Sequence, residues 1–286
     1  MLPPLYLIGG PTASGKTALA LDIAAQQPSL IINADSMQVY KDLPLLTAQP
    51  SPQEKDVVPH KLFEVLPPSS RCSVGLWRDM ALEALAEAKR RELTPIIVGG
   101  TGLYFKALEN GLATIPEIPP SIRETAISLY QELGHDAFRK ALAALDPQAA
   151  TRIEQNDSQR LIRAYEVVHY TGKPLSAWQE ETQQTNSLAA HYDITRHILT
   201  PSRDELYARC DRRFLTMIER GALEEVKALS AQNLDPTLPA MKILGVRELA
   251  AYLRGECSLD EATAKAQQHT RNYAKRQMTW FRNQLL

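Results

Sequence analysis

The residues with the most definite chemical potential form the stretch GPTASGKT at positions 10–17, which follows an apolar run at 5–8. This is the pattern G-x-x-x-x-G-K-T between a predicted strand and a helix predicted over 17–27, a context in which such a loop binds phosphate. Backbone N–H groups of the loop and of the helix N-terminus point at one anion. Lys16 adds a positive charge for the outer phosphate groups, and the Thr17 hydroxyl is placed to ligate Mg²⁺. The pattern therefore predicts a magnesium-dependent phosphate site formed by Gly10, Pro11, Thr12, Ala13, Ser14, Gly15, Lys16 and Thr17.

The acidic residue that normally accompanies this loop is not where an ATPase or GTPase would carry it. Those enzymes hold the metal through an acid on a later strand, but the later apolar run PIIV at 95–98 continues into Gly99 and Gly100. The sequence also lacks the N-K-x-D pattern of guanine recognition. The nearest acid after a predicted strand is Asp35, in INADSMQVY at 32–40. Asp35 is predicted to be a metal ligand, a general base or a helix N-cap, and these three roles stay open.

These residues leave three classes of protein open. In a small-molecule or nucleoside kinase the loop would hold ATP, whereas in a transferase it would hold a pyrophosphate leaving group. A non-catalytic nucleotide-binding module is the third class. The loop does not distinguish them, because its amides and its lysine recognise the phosphate and not the group attached to it.

The predicted elements around the loop indicate an α/β fold. Apolar runs at 5–8, 30–33 and 95–98 have the continuous hydrophobic character of buried parallel strands, and apolar residues at helical spacing over 77–92 separate the last two. Strands that alternate with helices predict a parallel sheet with helices on both faces. Each polar cluster follows the carboxyl end of a strand, where open parallel sheets bind ligands. We therefore expect Asp35 to lie beside the phosphate-binding loop.

A proline-rich stretch, IPEIPP at 115–120, marks a domain boundary because its three prolines fit a helix interior poorly. The sequence that follows is predicted to be mostly helical up to residue 185, and the next strand is predicted only at 193–199. We therefore predict a helical insertion over 116–190 within a P-loop catalytic core made of 1–115 and 191–286. The region from residue 203 onward is predicted to be helical, with breaks near 236–239 and 255.

Composition excludes several classes of protein. The chain of 286 residues is 44% hydrophobic and 23% charged, which is typical of a soluble globular protein with a substantial core. No apolar run approaches membrane-spanning length, and the N-terminus has no secretory signal, so we expect no membrane association. Cys72, Cys210 and Cys257 lie far apart and form no metal-type spacing, which fits a reduced, cytoplasmic compartment.

The formal net charge of −1 conceals an uneven distribution, because residues 265–286 carry five basic residues and no acidic one. This run is either a solvated helix face or a surface for phosphates such as those of a nucleic acid. Within it, Lys275 and Arg276 precede Trp280 and Phe281. The two aromatic side chains either stack on bases or pack a terminal helix, and the sequence leaves both interpretations open.

Taken together, five motifs resemble those of the bacterial tRNA dimethylallyltransferases. They are GPTASGKT (10–17), DSMQVY (35–40), GGTGLYFKAL (99–108), NDSQRLIRAYEV (156–167) and AKRQMTWFR (274–282), in the family's order and spacing. The resemblance implies a fold similar to P-loop kinases, with a helical insertion, a helical C-terminal region and a channel through the core. It implies transfer of a dimethylallyl group from dimethylallyl diphosphate to N6 of the adenosine 3′ to the tRNA anticodon, position 37. The loop would then hold the diphosphate of an isoprenoid, and an ATP-dependent kinase is the alternative.

The resemblance also implies roles for individual residues. Asp35 matches the family's general base. Thr12 and Arg213 match residues that stabilise the diphosphate leaving group together with Lys16 and Mg²⁺. Without the resemblance, Arg213 in ARCDRRF would be interpreted as a surface arginine on a helix.

The partner that the resemblance implies is the tRNA anticodon stem-loop, bound by a monomer. The residues that match tRNA-facing positions of the family, together with two from the basic C-terminal run, are Asp35, Ser36, Met37, Gln38, Thr101, Arg123, Gln159, Arg160, Leu161, Ile162, Arg163, Lys242, Arg247, Lys275 and Arg276. The sequence departs from the family pattern in the loop PLLTAQP at 44–50, where the family has D-I-G-T-A-K-P, and at Ser158 and Val246. For His60 and Tyr104, in family-like stretches, we predict only packing or hydrogen bonding in core loops.

Overall fold

The structure is a computed structural model that describes residues 2–183 and 188–284. Its strands are β1 (Pro4–Gly9), β2 (Ser29–Asn33), β3 (His60–Lys61), β4 (Thr94–Gly99) and β5 (Asp193–Ile198). They form one five-stranded sheet in the order β3-β2-β4-β1-β5. All four pairings are parallel. The carboxyl ends of the strands therefore lie at the same edge of the sheet.

The described residues form twelve α-helices, of which the first four each follow one of the strands β1 to β4 and the others come later in the chain. They are α1 (Lys16–Ala24), α2 (Pro52–Val57), α3 (Val74–Arg90), α4 (Gly102–Asn110), α5 (Pro120–Leu145), α6 (Pro147–Arg152), α7 (Ser158–Thr171), α8 (Leu175–Gln183), α9 (Arg203–Glu219), α10 (Ala222–Ala231), α11 (Val246–Leu253) and α12 (Leu259–Gln284). Among them, no helix is both long enough and apolar enough to cross a membrane.

The four predicted strands are confirmed, and the apolar runs of β1, β2 and β4 explain why these three lie at the centre of the sheet, whereas the more polar β5 lies at its edge. Ile8, Ile31 and Ile96 pack with α1 on one face, and the alternating residues Ile32 and Ile97 are buried as well. Because successive side chains of a strand point to opposite faces, both faces of the sheet are covered. The strand β3 is not predicted by the sequence, because its two residues are polar and carry no apolar run.

The register of the sheet aligns the ends of the two strands that carry the chemical motifs. Val98 of β4 pairs with Ile8 of β1 on one side and with Asn33 of β2 on the other. The chain leaves β1 into the phosphate-binding loop and leaves β2 into the segment that contains Asp35. Both motifs therefore emerge at the same level of the sheet edge.

The chain divides into two compact units. One contains Met1–Leu108 and Ala189–Leu286, and includes the sheet, and the other is Glu109–Leu188. The second unit is helical and has its own core, in which Phe138 and Leu142 of α5 pack with Leu161 and Ala164 of α7. The insertion predicted at 116–190 includes positions 184–187, which lie outside the described residues.

The C-terminal helices of the first unit include a break at each predicted position. The break near 236–239 lies between α10 and α11, and the break at 255 lies between α11 and α12. The long helix α12 packs against α9 and α11. Its buried residues recur at helical spacing and are Ala262, Thr263, Ala266, Thr270, Ala274, Gln277 and Phe281.

The two aromatic residues near the end of α12 have different surroundings. Phe281 is fully buried, and its ring centroid lies 5.9 Å from that of Phe105 on α4. Phe281 therefore packs the terminal helix, and the stacking interpretation is wrong for it. Trp280 is partly exposed and lies against Gly102, where a Cβ atom would come within 2.0 Å of the indole ring. Only glycine fits at position 102 with Trp280 in this place.

Candidate active site

The phosphate-binding loop joins β1 to α1 at the carboxyl edge of the sheet. The N-cap residue of α1, Gly15, has a left-handed backbone (φ 97°, ψ 12°), which glycine adopts without strain. No side chain caps the first turn of α1. The first N–H groups of a helix have no partner within the helix and carry its partial positive charge. This end of α1 is therefore suited to bind an anion.

The ammonium group of Lys16 lies within the loop, where Nζ donates a hydrogen bond to the Pro11 carbonyl oxygen at 2.6 Å. Burial lowers the pKa of Lys16 to about 8; the Asp35 carboxylate opposes this shift, and the Arg213 guanidinium adds to it. A cation whose charge is destabilised by burial is stabilised when an anion binds beside it. The electrostatics of the loop therefore favour a phosphate or diphosphate ligand.

Arg213 approaches the same loop from α9. Its Nη2 donates a hydrogen bond to Oγ1 of Thr12, and burial lowers the pKa of its guanidinium group. The interpretation of Arg213 as a surface arginine is therefore wrong. The spacing along α9 is the signal that could identify Arg213 as part of the buried face. Arg213 lies three residues after Cys210 and four before Met217, and both of these are on the buried face of α9.

Asp35 lies in a turn that Asn33 organises at the end of β2. The fully buried Asn33 side chain accepts from the Asp35 N–H at 2.8 Å and donates to the carbonyl oxygens of Asp35 and Leu62, both at 3.0 Å. Oδ1 of Asp35 accepts from the Met37 N–H at 3.0 Å. No helix begins at Asp35. The helix-cap interpretation is therefore wrong, and the metal-ligand and general-base interpretations remain.

Asp35, Arg213 and the phosphate-binding loop line one cavity of about 340 Å³. Of the residues predicted for the phosphate site, 12–17 line this cavity. Gly10 acts on the loop through its backbone, because a Cβ atom there would lie 2.9 Å from the Leu199 carbonyl oxygen. The structure therefore brings the predicted cations and the predicted carboxylate to one site.

The same cavity also has an apolar part. Its lining includes Ile31, Phe63 and Val98. His60 lines it from β3, where Nδ1 lies 2.8 Å from the Val58 carbonyl oxygen and burial lowers the pKa of the imidazole. The hydrogen bonding predicted for His60 is confirmed, but its predicted location in a core loop is wrong, because the residue forms part of the edge strand β3. A cavity with cationic and apolar parts is suited to a ligand that has a charged end and a hydrocarbon end.

Tyr104 supports the site from α4 and does not lie in a core loop as predicted. The buried Tyr104 ring stacks on Trp77, with 4.1 Å between the ring centroids. Nε1 of Trp77 donates to the Asn33 carbonyl oxygen at 2.9 Å. This packing fixes the end of β2 from which Asp35 projects, and it agrees with the packing role predicted for Tyr104.

Several residues predicted to face tRNA are linked to one another at the sheet edge. Oγ1 of Thr101 accepts from the Ser36 N–H at 2.9 Å, and it lies 3.1 Å from Ser36 Oγ. Nε2 of Gln38 donates to the carbonyl oxygens of Thr47 and Ala48, both at 2.9 Å. Gln38 therefore anchors the loop in which the sequence departs from the family pattern.

Basic residues that are distant in the sequence come together around α12. Lys242, Arg247 and Arg276 line one cavity of about 250 Å³. Lys275 and Arg276 also line an adjacent groove with Trp280. Both Lys275 and Arg276 are exposed. The structure therefore assembles the predicted basic residues of the first unit into one surface, which we call the α12 surface.

Within the helical unit, the predicted residues of α7 have two different environments. Gln159, Arg160 and Arg163 are exposed. The Arg160 guanidinium lies 3.1 Å from Asp157 Oδ2, and that of Arg163 lies 2.7 Å from Glu166 Oε1. The carboxylates orient both guanidinium groups while leaving part of each in solvent.

The apolar members of the same stretch belong to the core of that unit. Leu161 is fully buried, and Ile162 packs against the same core. Arg123, predicted from the same resemblance, is exposed on α5. Side-chain contacts to a phosphate backbone are therefore available to the arginines and Gln159 but not to Leu161.

Two buried polar residues of the site were not predicted. Asn33 organises the turn of Asp35, and Gln277 of α12 bonds to the backbone of the phosphate-binding loop and of the segment after β4. Asn33 ends an apolar run, and Gln277 occupies a position on the buried face of α12. A polar residue at a position of apolar periodicity is the signal that could have identified both.

Magnesium fits the donor set of this site. The described residues contain no group of three or more His, Cys, Asp or Glu side chains that could hold a metal. Mg²⁺ does not need such a group, because it is bound through one or two protein oxygens together with phosphate oxygens and waters. The Thr17 hydroxyl and the Asp35 carboxylate line the phosphate cavity and offer oxygens of that kind.

The fold and the site define a P-loop protein of the α/β class, with a parallel sheet, a phosphate-binding loop after β1 and an acidic residue after β2. A family model described as IPP transferase matches residues 38–284, and a model described as isopentenyl transferase matches residues 3–58. The chain belongs to the IPP transferase family.

Relatives and solved structures agree with this assignment over nearly the whole chain. The chain is 52% identical to a tRNA dimethylallyltransferase of Rhodospirillum centenum over 99% of this chain and 89% of the relative. It is 54% identical to a tRNA dimethylallyltransferase of Caulobacter sp. (strain K31), over 98% of this chain and 90% of the relative. The tRNA isopentenylpyrophosphate transferase of Bacillus halodurans has a TM-score of 0.70 and 34% identity, over 99% of this chain and 88% of that structure. A eukaryotic dimethylallyltransferase acting on tRNA has a TM-score of 0.83 and 29% identity, over 98% of this chain and 70% of that structure.

Proposed function

We propose that this protein transfers a dimethylallyl group from dimethylallyl diphosphate to N6 of adenosine 37 in tRNA and releases diphosphate. The observation that carries the proposal is the single cavity lined by Lys16, Arg213, Asp35 and apolar side chains. The reaction brings together a diphosphate, a hydrocarbon group and an amine that loses a proton. The cavity offers a group of matching chemistry for each of them.

The leaving-group half of the reaction uses the phosphate-binding loop. As the C–O bond of the donor breaks, negative charge develops on the diphosphate, and the α1 N-terminus, Lys16 and Arg213 are positioned to stabilise it. Donors and cations that are fixed before reaction are effective because they need no reorganisation when the charge appears. The hydrogen bond from Arg213 to Thr12 keeps the guanidinium at the loop.

The acceptor half of the reaction uses Asp35. The exocyclic N6 amine is a weak nucleophile because its lone pair is delocalised into adenine, so removal of its proton as the N–C bond forms assists the attack. We propose that the Asp35 carboxylate accepts this proton. General-base assistance is worth about 10²–10⁴ in rate. The Asn33 side chain and the Met37 N–H hold Asp35 in one orientation for this task.

We propose Mg²⁺ as the cofactor, held by the Thr17 hydroxyl and diphosphate oxygens. When bound, Mg²⁺ supplies charge neutralisation to the diphosphate. Asp35 as a second metal ligand is the alternative to its role as a base, and the two roles give different responses to added magnesium.

The tRNA would bind through phosphate contacts at the α12 surface and at the exposed arginines of the helical unit. The target adenosine must leave the anticodon stack, which costs a few kcal/mol and is offset by contacts to the flipped base. Asp35, Ser36, Met37, Gln38 and Thr101 lie at the sheet edge where such a base would meet the donor. We propose that the enzyme acts in the cytoplasm and as a monomer.

The direct test is incubation of the protein with total tRNA, dimethylallyl diphosphate and Mg²⁺, followed by mass analysis of the nucleosides. We expect N6-dimethylallyl adenosine at position 37 and one diphosphate released per modified tRNA. The kinase alternative predicts tRNA-independent ATP turnover and stronger protection from thermal unfolding by ATP than by dimethylallyl diphosphate. That result would contradict the proposal.

A further inference from the structure

The side chain of Gln277 bridges two loops of the active site. Its Oε1 accepts a hydrogen bond from the Thr12 N–H at 2.8 Å, and its Nε2 donates to the Gly100 carbonyl oxygen at 2.8 Å. Gln277 as a whole residue is 6% exposed. Both ends of the side-chain amide therefore have a hydrogen-bond partner. Only this orientation of the amide places its oxygen at the Thr12 N–H and its nitrogen at the Gly100 carbonyl oxygen.

This bridge takes one backbone amide out of the anion site. The Thr12 N–H donates to Gln277 and not toward the cavity, while Pro11 has no N–H to donate. The Thr12 amide is therefore not among those that a diphosphate can use, and the Ser14 N–H donates within the loop to the Pro11 carbonyl oxygen at 3.3 Å. Gln277 thus helps to determine which part of the loop can bind the leaving group.

The two loops joined by Gln277 serve the two halves of the proposed reaction. Thr12, on the leaving-group side, also accepts the hydrogen bond from Arg213. Gly100 lies on the acceptor side, and a Cβ atom there would come within 3.1 Å of Asp35 Oδ2 and within 2.2 Å of Gln277 Nε2. Glycine at position 100 lets the amide and the carboxylate approach the same backbone segment.

We infer that Gln277 is a positioning residue that sets the spacing between the leaving-group loop and the Asp35 side of the site. The inference rests on the proposed function. A displacement of about 1 Å between reacting groups can lower the rate by about 10²-fold without a matching loss of binding. Gln277 would therefore act on kcat for transfer more than on the binding of diphosphate or tRNA.

The test compares Gln277→Leu and Gln277→Glu with Gln267→Leu as a matched control. Gln267 lies on the same helix, and its Nε2 donates to the Asp211 carbonyl oxygen at 3.0 Å on α9. Each variant is measured for kcat, for KM of dimethylallyl diphosphate, for tRNA affinity and for melting temperature. Wild type and Gln267→Leu must transfer the prenyl group at similar rates; absence of transfer by both refutes the proposed function itself.

We expect Gln277→Leu to lose roughly 10²-fold in kcat, with the two substrate affinities changed by less than about fivefold. The Gln277→Glu side chain can still accept from the Thr12 N–H but cannot donate to the Gly100 carbonyl oxygen. Its kcat should therefore lie between that of wild type and that of Gln277→Leu. If Gln277→Leu does not fold, the kcat of the folded Gln277→Glu variant tests the inference instead. A wild-type kcat in a folded Gln277 variant, or a loss confined to KM and melting temperature, would overturn the inference.

Discussion

Nη2 of Arg213 donates a hydrogen bond to Oγ1 of Thr12, which joins two residues that are 201 positions apart in the chain. The bond connects α9 to the phosphate-binding loop and fixes a guanidinium group at the point where the leaving group would separate. Because the two residues are so far apart along the chain, no local sequence pattern predicts this hydrogen bond. A helix from the C-terminal part of the chain therefore contacts the phosphate-binding loop directly.

Replacement of Arg213 by Gln should lower the single-turnover transfer rate by about 10²–10³-fold, because one fixed donor to the developing charge is lost. Arg213→Lys should recover only part of the rate, since an ammonium group lacks the planar donor geometry of guanidinium. The measurement is a rapid-quench assay with enzyme in excess over tRNA. Arg212→Gln, which changes an exposed neighbour on α9, should retain the wild-type rate. Equal losses in both variants would argue against a specific role for Arg213.

Diphosphate binding should weaken as pH rises through about 8, the value to which burial lowers the pKa of Lys16. The sign follows from charge: the protonated form predominates below this pKa and attracts the anion, and the neutral form above it does not. Lys16→Arg stays protonated throughout, and the titration of the ligand itself is common to both proteins. Measured by calorimetry from pH 7 to 9.5, the wild-type affinity relative to Lys16→Arg should fall by about tenfold per pH unit above the pKa. A constant ratio would contradict this prediction.

The double change Lys275→Ala, Arg276→Ala should weaken tRNA binding and reduce the slope of log K against log salt concentration by about one to two units. Each lost cation removes a phosphate contact and the counterion release that accompanies it. The measurement is a filter-binding titration at several salt concentrations. Lys265 lies on the same helix and is exposed, but it is outside the α12 surface. The Lys265→Ala variant should therefore keep the wild-type slope of log K against log salt concentration. An unchanged slope in the double variant would show that this run is only a solvated helix face.

Gly102→Ala should destabilise the protein by about 1–3 kcal/mol, because the new methyl group must displace the indole of Trp280. A Cβ atom at position 102 would lie 2.0 Å from that ring, whereas one at Gly75 would lie 3.7 Å from Ser73 Oγ. Gly75→Ala is therefore the control and should change the free energy of unfolding by no more than about 0.5 kcal/mol. Urea denaturation measures both. Equal stabilities would show that Trp280 moves aside at no cost.

The parts of this protein that can be predicted from sequence are those encoded over a short stretch. Continuous apolar runs identify β1, β2 and β4, and the spacing of glycine, lysine and threonine identifies the phosphate-binding loop. The strand β5 is predicted at 193–199 without such a run, since its sequence DITRHI is mostly polar. The two-residue β3 has no such run. Its place at the sheet edge depends on pairing with Ile31 and Ile32 of β2, which local propensity does not encode.

The parts of the site that escape prediction depend on contacts between distant segments. The Thr12 N–H and Gln277 are 265 positions apart, and the Arg213 guanidinium reaches Thr12 from a helix whose local sequence is typical of a surface helix. In both cases only the packing of α9 and α12 against the sheet turns a common polar residue into part of the site. Gln277 lies in the family motif AKRQMTWFR, and Arg213 in ARCDRRF matches a single family position, but neither match reveals the hydrogen-bond partner.

The proposed mechanism is tested at its centre by the single-turnover rate of Asp35→Asn, measured over a range of Mg²⁺ concentrations. Asn retains the size of Asp and can still accept from the Met37 N–H, but it cannot take a proton from N6. We predict a loss of about 10²–10⁴ in rate that high magnesium does not restore, with tRNA and diphosphate affinities little changed. Asp42→Asn, an exposed change shortly after the same strand, should transfer at the wild-type rate. Rescue by magnesium would assign Asp35 to the metal, and near-normal transfer by Asp35→Asn at ordinary magnesium would contradict the mechanism.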